Sequence, residues 1–184
     1  MKSNVLYFTR LAVTLLLITS LVAAALAGVN SITAPAIAKL TAEKTQQAIE
    51  AVLPGGGEEI DRNAVGFDGA DLVSKVYRGE NGYAIEVTPG GFDNTITMMV
   101  GIDFAGKVLG IDVISHTETA GLGAVADADS PAGQNFRSQF AGAEGSVAVT
   151  KDGGSIDSIT GATITSRAIC DGVNAALACA AALG

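Results

Sequence analysis

The chain contains no tryptophan, one histidine, two cysteines and four prolines among its 184 residues, and aromatic residues make up only 5%. With so few rings, Ala, Val, Ile and Leu must build most of the core. The two cysteines, Cys170 and Cys179, fall in one predicted helix. Nine residues apart, they point to opposite faces and sit roughly 13 Å apart along its axis. They cannot bridge each other there, and two such residues are too few for a zinc or iron–sulfur site. Core packing is their expected role, with a reactive or inter-chain thiol as the alternative outside the cytoplasm. There is no haem Cys-x-x-Cys-His and no strand–Gly-x-Gly-x-x-Gly–helix unit, so nothing supports a c-type haem or a nucleotide domain. Basic residues are scarce as well: 11 stand against 19 acids, for a net charge of −8. That balance, with a pI near 4.5, argues against nucleic-acid binding, which needs a basic face.

Charge is missing altogether from Leu11 to Ala38, and Leu11 to Val29 is nearly all apolar. As a helix, residues 11–29 span roughly 28 Å, about the hydrocarbon core of a bilayer. The run accounts for most of the mean hydropathy of +0.40. Thr14, Thr19 and Ser20 are its only polar residues, and their hydroxyls can bond back to helix carbonyls. A cleaved signal peptide is the rival reading, because Ala23-Ala24-Ala25 and Ala25-Leu26-Ala27 resemble cleavage sites. The run is longer than a signal core of about 7–15 residues and continues into Ile32-Thr33-Ala34-Pro35 without a polar break. An uncleaved transmembrane helix is therefore expected. Lys2 and Arg10 precede it with no acid among the first 29 residues. Residues 1–10 should then be cytoplasmic and the C-terminal bulk extracytoplasmic, in a single-pass protein of the cell membrane.

Residues 30–57 read as a membrane-proximal helix and linker. The helix covers Ala36 to Leu53, ends at Pro54-Gly55-Gly56-Gly57, and carries the domain away from the bilayer. Residues 58–184 should form one compact domain. Leu72–Tyr77 and Tyr83–Val87 alternate as strands do, and Thr95–Asp103 with Lys107–Ser115 reads as a hairpin. Met98, Val100, Ile102, Val108, Ile111 and Val113 are candidate core residues. A short helix around Pro131–Phe140 should bury Phe136 and Phe140. Val147–Val149 and Ile156–Ile159 read as further short strands, and a last helix from about Thr163 to Leu183 carries Ile169, Val173, Leu177 and Ala180 on one stripe. This order predicts an α+β fold, with a mostly antiparallel sheet and flanking helices.

The informative segment is Asp157-Ser158-Ile159-Thr160-Gly161-Ala162-Thr163-Ile164-Thr165-Ser166. Five hydroxyl side chains surround one glycine at a strand-to-helix junction. Free backbone N–H groups and the positive end of a helix dipole favour a phosphate at such a junction. Thr160 is placed to cap the helix, Gly161 to allow close backbone approach, and Thr163 lies in the first turn. A plain capping motif accounts for the same residues.

Asp157 to Thr163 resembles the flavinylation motif of the G subunit of Rnf complexes, shared with the C subunit of sodium-pumping NADH:quinone oxidoreductase. A second stretch, His116-Thr117-Glu118-Thr119-Ala120-Gly121-Leu122-Gly123, is similar to that family's His-x-Glu-Thr-Pro-Gly-Leu-Gly, with Ala120 in place of the usual proline. Together with the apolar run, Gly101-Ile102-Asp103 and the Val29-to-Pro35 passage, the resemblance covers nearly the whole chain.

The resemblance implies an FMN-binding domain whose FMN is joined covalently to Thr163 by a phosphoester. Thr160, Gly161, Ala162 and Thr165 would lie beside it. Thr119, Gly121 and Leu122 would approach the flavin, with Leu122 as an apolar cover. Asp157 either positions the acceptor threonine or closes the turn. His116 and Glu118 form either a proton-transfer pair or a hydrogen bond holding the glycine loop. No metal ligands are expected. The implied setting is a membrane complex that couples ferredoxin:NAD⁺ electron flow to sodium or proton translocation. Its partners there would be other membrane and ferredoxin-type subunits, with a flavin transferase during maturation. This chain would be the electron carrier of that translocase and not a stand-alone catalyst. A free-standing, membrane-anchored flavoprotein reductase component and a non-redox anchored binding module are the alternatives.

Overall fold

A computed structural model describes residues 2–61 and 69–184, with side chains of the first stretch from residue 7 onward. The first helix, α1 (Lys2–Val52), is longer than the sequence pattern indicates and runs unbroken through Pro35. Proline removes one backbone donor, yet the surrounding hydroxyls follow a helical path. Ser31 donates to the Gly28 carbonyl at 2.8 Å and Thr33 to that of Val29 at 3.0 Å. Thr14 and Thr19 likewise donate to Arg10 and Leu15, as a helix in an apolar medium requires. By length and composition, α1 can cross a membrane.

The chain divides into two compact units, the first ending at Glu43 and the second comprising Lys44–Gly184. In the second, β1 (Glu58–Ile60), β2 (Val73–Arg78), β3 (Gly82–Val87), β4 (Thr97–Asp103) and β5 (Val108–Ser115) form an antiparallel sheet in sequential order. Two helices follow, α2 (Pro131–Ser138) and α3 (Thr163–Leu183). The α+β expectation holds: one long apolar N-terminal helix is followed by a compact domain with an antiparallel sheet.

Alternation along the strands sends side chains to both faces. Ile85, Met98, Val100, Ile102, Ile111 and Val113 join Phe136, Phe140, Ile169 and Val173 in the main core. Fully burying one such aliphatic side chain stabilises the fold by roughly 1.5–3 kcal/mol. The opposite face presents Tyr77, Ala84, Met99 and Ile114, which cluster with Ala48, Ile49, Val52 and Leu53 from the end of α1. Those last residues therefore pack on the sheet. Gly101 is what permits the approach, since a Cβ there would strike the Val52 carbonyl.

Three local expectations need correction. Strand β1, short and on the sheet edge, went unrecognised among Glu58, Glu59 and Ile60. Val147–Val149 and Ile156–Ile159 are not strands of the sheet; they meet in a single parallel bridge, Val149 to Ile156. The reason is a tertiary contact: the Asn174 side chain takes both backbone groups of Val147, at 2.8 and 2.9 Å. Thr160 does not cap α3; the residue at that position is Ala162, with no side-chain cap bond. Both cysteines are buried and neither forms a disulfide. Burial pushes the Cys170 thiol up to about 11, which suits packing and not reactivity.

Asp112 on β5 carries a testable electrostatic cost. Burial pushes its carboxyl above the usual carboxylate range, opposed by Arg137 and reinforced by Asp127. An acid with a raised pKa in the folded chain holds its proton more tightly there, so stability falls as pH rises through that value. Asp112→Asn should stabilise the fold at neutral pH by at most about 1 kcal/mol after solvent screening, seen as a higher melting temperature. Melts across the acid range should show the gain shrinking as wild-type Asp112 becomes protonated.

Candidate functional site

The turn before α3 is built by Ile159, Thr160, Gly161 and Ala162. The Ala162 N–H donates to the Ile159 carbonyl at 2.9 Å, and Gly161 takes φ +78°. A positive φ at the third position of a turn is the one that glycine adopts without strain. Ser166 locks the turn from the helix side. Its hydroxyl accepts from the Ile159 N–H at 3.0 Å and donates to the Ala162 carbonyl at 2.9 Å. The first turn of α3 contains no acid and no capping side chain, so its N–H groups and positive dipole end face outward uncompensated.

That end of α3 opens on a cavity of about 300 Å³. Gly161, Ala162, Thr163 and Thr165 from the motif line it, and Glu118, Thr119 and Leu122 from the glycine loop lie opposite. The structure therefore brings together seven of the residues singled out in the sequence. It adds Phe92, Gly123, Lys151 and Ile164. Three apolar side chains in the lining remain in solvent contact: Phe92 is 66% exposed, Ile164 51% and Leu122 42%. Ile164 was detectable from the sequence, as an apolar residue off the buried stripe of α3. Phe92 and Lys151 carried no such signal, because only tertiary structure brings them near the motif.

Other expected residues lie elsewhere. Gly121, Asp157 and Thr160 line a separate open depression beside α2. Asp157 is fixed through its backbone: Gln139 accepts from its N–H at 2.6 Å and donates to its carbonyl at 3.2 Å. Asp157 therefore lies outside the lining of the cavity that holds Thr163. His116 does not line the cavity. Its Nδ1 accepts from the Glu118 N–H at 3.2 Å, and its Nε2 lies 3.7 Å from Asp127. The imidazole faces Asp127 instead of the Glu118 carboxylate, which favours the loop-holding role over the proton-transfer pair.

Glu118 is a buried clamp. One oxygen accepts from the Phe92 N–H at 2.8 Å and the Asp93 N–H at 3.3 Å. The other accepts from the Thr165 hydroxyl at 2.5 Å. Gly91 and Gly123 enclose this carboxylate, and a Cβ at either position would collide with it. The loop beyond is tied down as well, since the Thr119 carbonyl accepts from the Leu122 and Ala124 N–H groups. These bonds hold the glycine loop without the proline that Ala120 replaces.

Thr163 differs from its neighbours. Thr165 and Ser166 are 1% and 0% exposed, and both hydroxyls are engaged inside the fold. Thr163 is only half-buried, and its Oγ1 accepts from Lys151 Nζ at 2.9 Å. An accessible hydroxyl, an ammonium, an uncapped helix start and an apolar collar therefore share one opening.

The sequence matches the FMN-binding domain family over residues 91–178, a span that includes every lining residue of the cavity. Similar proteins extend the match over most of the chain. The G subunit of an ion-translocating oxidoreductase complex from Photorhabdus laumondii is 34% identical, over 89% of this chain and 86% of its own. The corresponding G subunit of Methanosarcina acetivorans is 32% identical over 92% of each chain. The G subunit of the Na(+)-translocating ferredoxin:NAD(+) oxidoreductase complex of Acetobacterium woodii is 30% identical, over 90% of this chain and 87% of its own. The chain is thus a flavin-binding protein by domain. It belongs to the family of G subunits of ion-translocating oxidoreductase complexes.

The donor set fits FMN. The helix start and Lys151 suit its phosphate, and Phe92, Leu122 and Ile164 suit the faces of an apolar ring. Gly161 leaves room beside Leu122, where a Cβ would come within 2.9 Å of that side chain.

Proposed function

We propose that this chain is the FMN-bearing electron-transfer subunit of an Rnf-type complex, with the cofactor esterified through its phosphate to Thr163 Oγ1. The observation that carries the reading is the Lys151–Thr163 contact at the uncapped start of α3. Thr163 alone among the motif hydroxyls combines solvent access, a neighbouring cation and a place in the cavity.

Bound there, FMN supplies one- and two-electron redox chemistry. The protein holds and orients the group while Thr163 does no redox work. During maturation a flavin transferase, using Mg²⁺, presents FAD to the chain. Thr163 Oγ1 bonds to the flavin-side phosphorus, the pyrophosphate bond breaks, and AMP departs with that bond's electron pair. The hydroxyl proton passes to a base of the transferase. An ester suits a domain outside the cytoplasm, where a flavin held by contacts alone would escape. Lys2 and Arg10 before the apolar run support that orientation. The partners are then the membrane and ferredoxin-type subunits of the complex, and the coupled ion is sodium or a proton.

Co-expression of the full chain with a flavin transferase tests the reading. A fluorescent band at the mass of the chain should survive a denaturing gel. No band beside an active transferase would overturn it.

A further inference from the structure

We propose that Lys151 is the residue that binds the flavin phosphate and orients Thr163 for esterification. The inference rests on the ester reading and assigns its charge to a named side chain.

Lys151 belongs to a fixed turn, Thr150–Asp152, which packs beside the start of α3. Val149 before it is buried, and the Thr150 N–H donates to the Ile156 carbonyl at 2.8 Å. Asp152 fastens the turn to the helix, receiving Arg167 Nε at 2.6 Å and Nη2 at 2.7 Å. Gly154 after it cannot carry a side chain, because a Cβ would strike the Ala148 carbonyl. The lysine is therefore presented from anchored backbone on both sides.

Its ammonium feels the charge of neighbouring Asp152 but makes no ion pair with it. Arg167 occupies both oxygens of Asp152, the adjacent acid. Among the described residues no carboxylate forms an ion pair with Lys151. The ammonium is turned toward an uncapped helix start, where it donates to Thr163 Oγ1. An ammonium has three donors. One occupies the Thr163 oxygen, which directs that hydroxyl's own proton away from Lys151 and toward an incoming base. The others remain for phosphate oxygens. A threonine phosphodiester carries a single negative charge, which one lysine neutralises.

The test separates this role from the ester itself. In full-length Thr163→Val, where no ester can form, FMN and riboflavin binding are compared by flavin fluorescence in detergent. FMN should bind more tightly than riboflavin. Lys151→Met in that background should weaken FMN about three- to tenfold, as expected for an exposed charged contact, and leave riboflavin unchanged. Lys151→Arg should recover most of the loss. Equal or undetectable binding of both flavins with Lys151 present overturns the proposal, as does an unchanged FMN affinity in Lys151→Met. Wild-type chain labelled at Thr163 despite such a result removes the Lys151 role alone. Lysine-dependent discrimination in a chain that no transferase labels supports Lys151 and removes the ester.

Discussion

Thr163→Val should abolish covalent flavin, while Thr163→Ser keeps part of the labelling and Thr165→Val keeps most of it in the folded fraction. Valine retains the shape of threonine and deletes only the hydroxyl, so the fold has little reason to respond at this half-buried position. The neighbouring hydroxyls cannot take over. Thr165 is 1% exposed and donates to Glu118, and Ser166 is fully buried with its oxygen used twice. Thr160 faces the depression beside α2 instead of the cavity. Loss should therefore be all-or-none in in-gel fluorescence. Thr165→Val has a different signature, a drop in stability from the unpaired Glu118 oxygen of about 1–3 kcal/mol. Labelling that persists in Thr163→Val would move the attachment to another residue.

Glu118→Ala should have the largest effect on stability at the site. The carboxylate accepts from two backbone N–H groups and one hydroxyl, linking the Phe92 loop, the glycine loop and α3. Removing it strands those donors and leaves a gap between Gly91 and Gly123. A loss of about 3 kcal/mol is expected, since hydrogen bonds to a buried charge are among the stronger ones. The wall carrying Phe92 should loosen with it, so flavin content per folded chain should also fall. Glu118→Gln keeps an oxygen for the Phe92 N–H and an amide for Thr165, and should lose less than half as much. Thermal melts of the two variants decide the matter. Wild-type stability in Glu118→Ala, with altered flavin redox behaviour, would restore the proton-transfer role that the geometry disfavours.

How far the sequence foretold this structure depended on the range of the interactions involved. The limits of α3 were legible because hydroxyl residues precede a stripe at helical spacing, and both signals are local. The β4–β5 hairpin was legible from alternation over two adjacent strands. The packing of Val52 on Gly101 was not, because nothing near either residue announces the other. Continuity of α1 through Pro35 also escaped, since proline is a local break signal. Val147–Val149 has strand-like composition, but Asn174, 27 residues away, takes its hydrogen bonds. The site divides the same way. Thr163 and the glycine loop were identified through family resemblance, and the physical pattern alone allowed a helix cap. Lys151 and Phe92 lie in unremarkable sequence and gain their meaning only when α3 and Glu118 gather them.

The central claim is a bond between Thr163 and a flavin phosphate, and the most direct test is a peptide mass. Trypsin releases Asp152 to Arg167 as one fragment, containing every hydroxyl of the motif. From full-length chain matured with an active flavin transferase, that fragment should carry the mass of FMN less one water. Fragmentation should place the addition on Thr163. An unmodified fragment, or the same addition on Thr160, Thr165 or Ser166, would contradict the account.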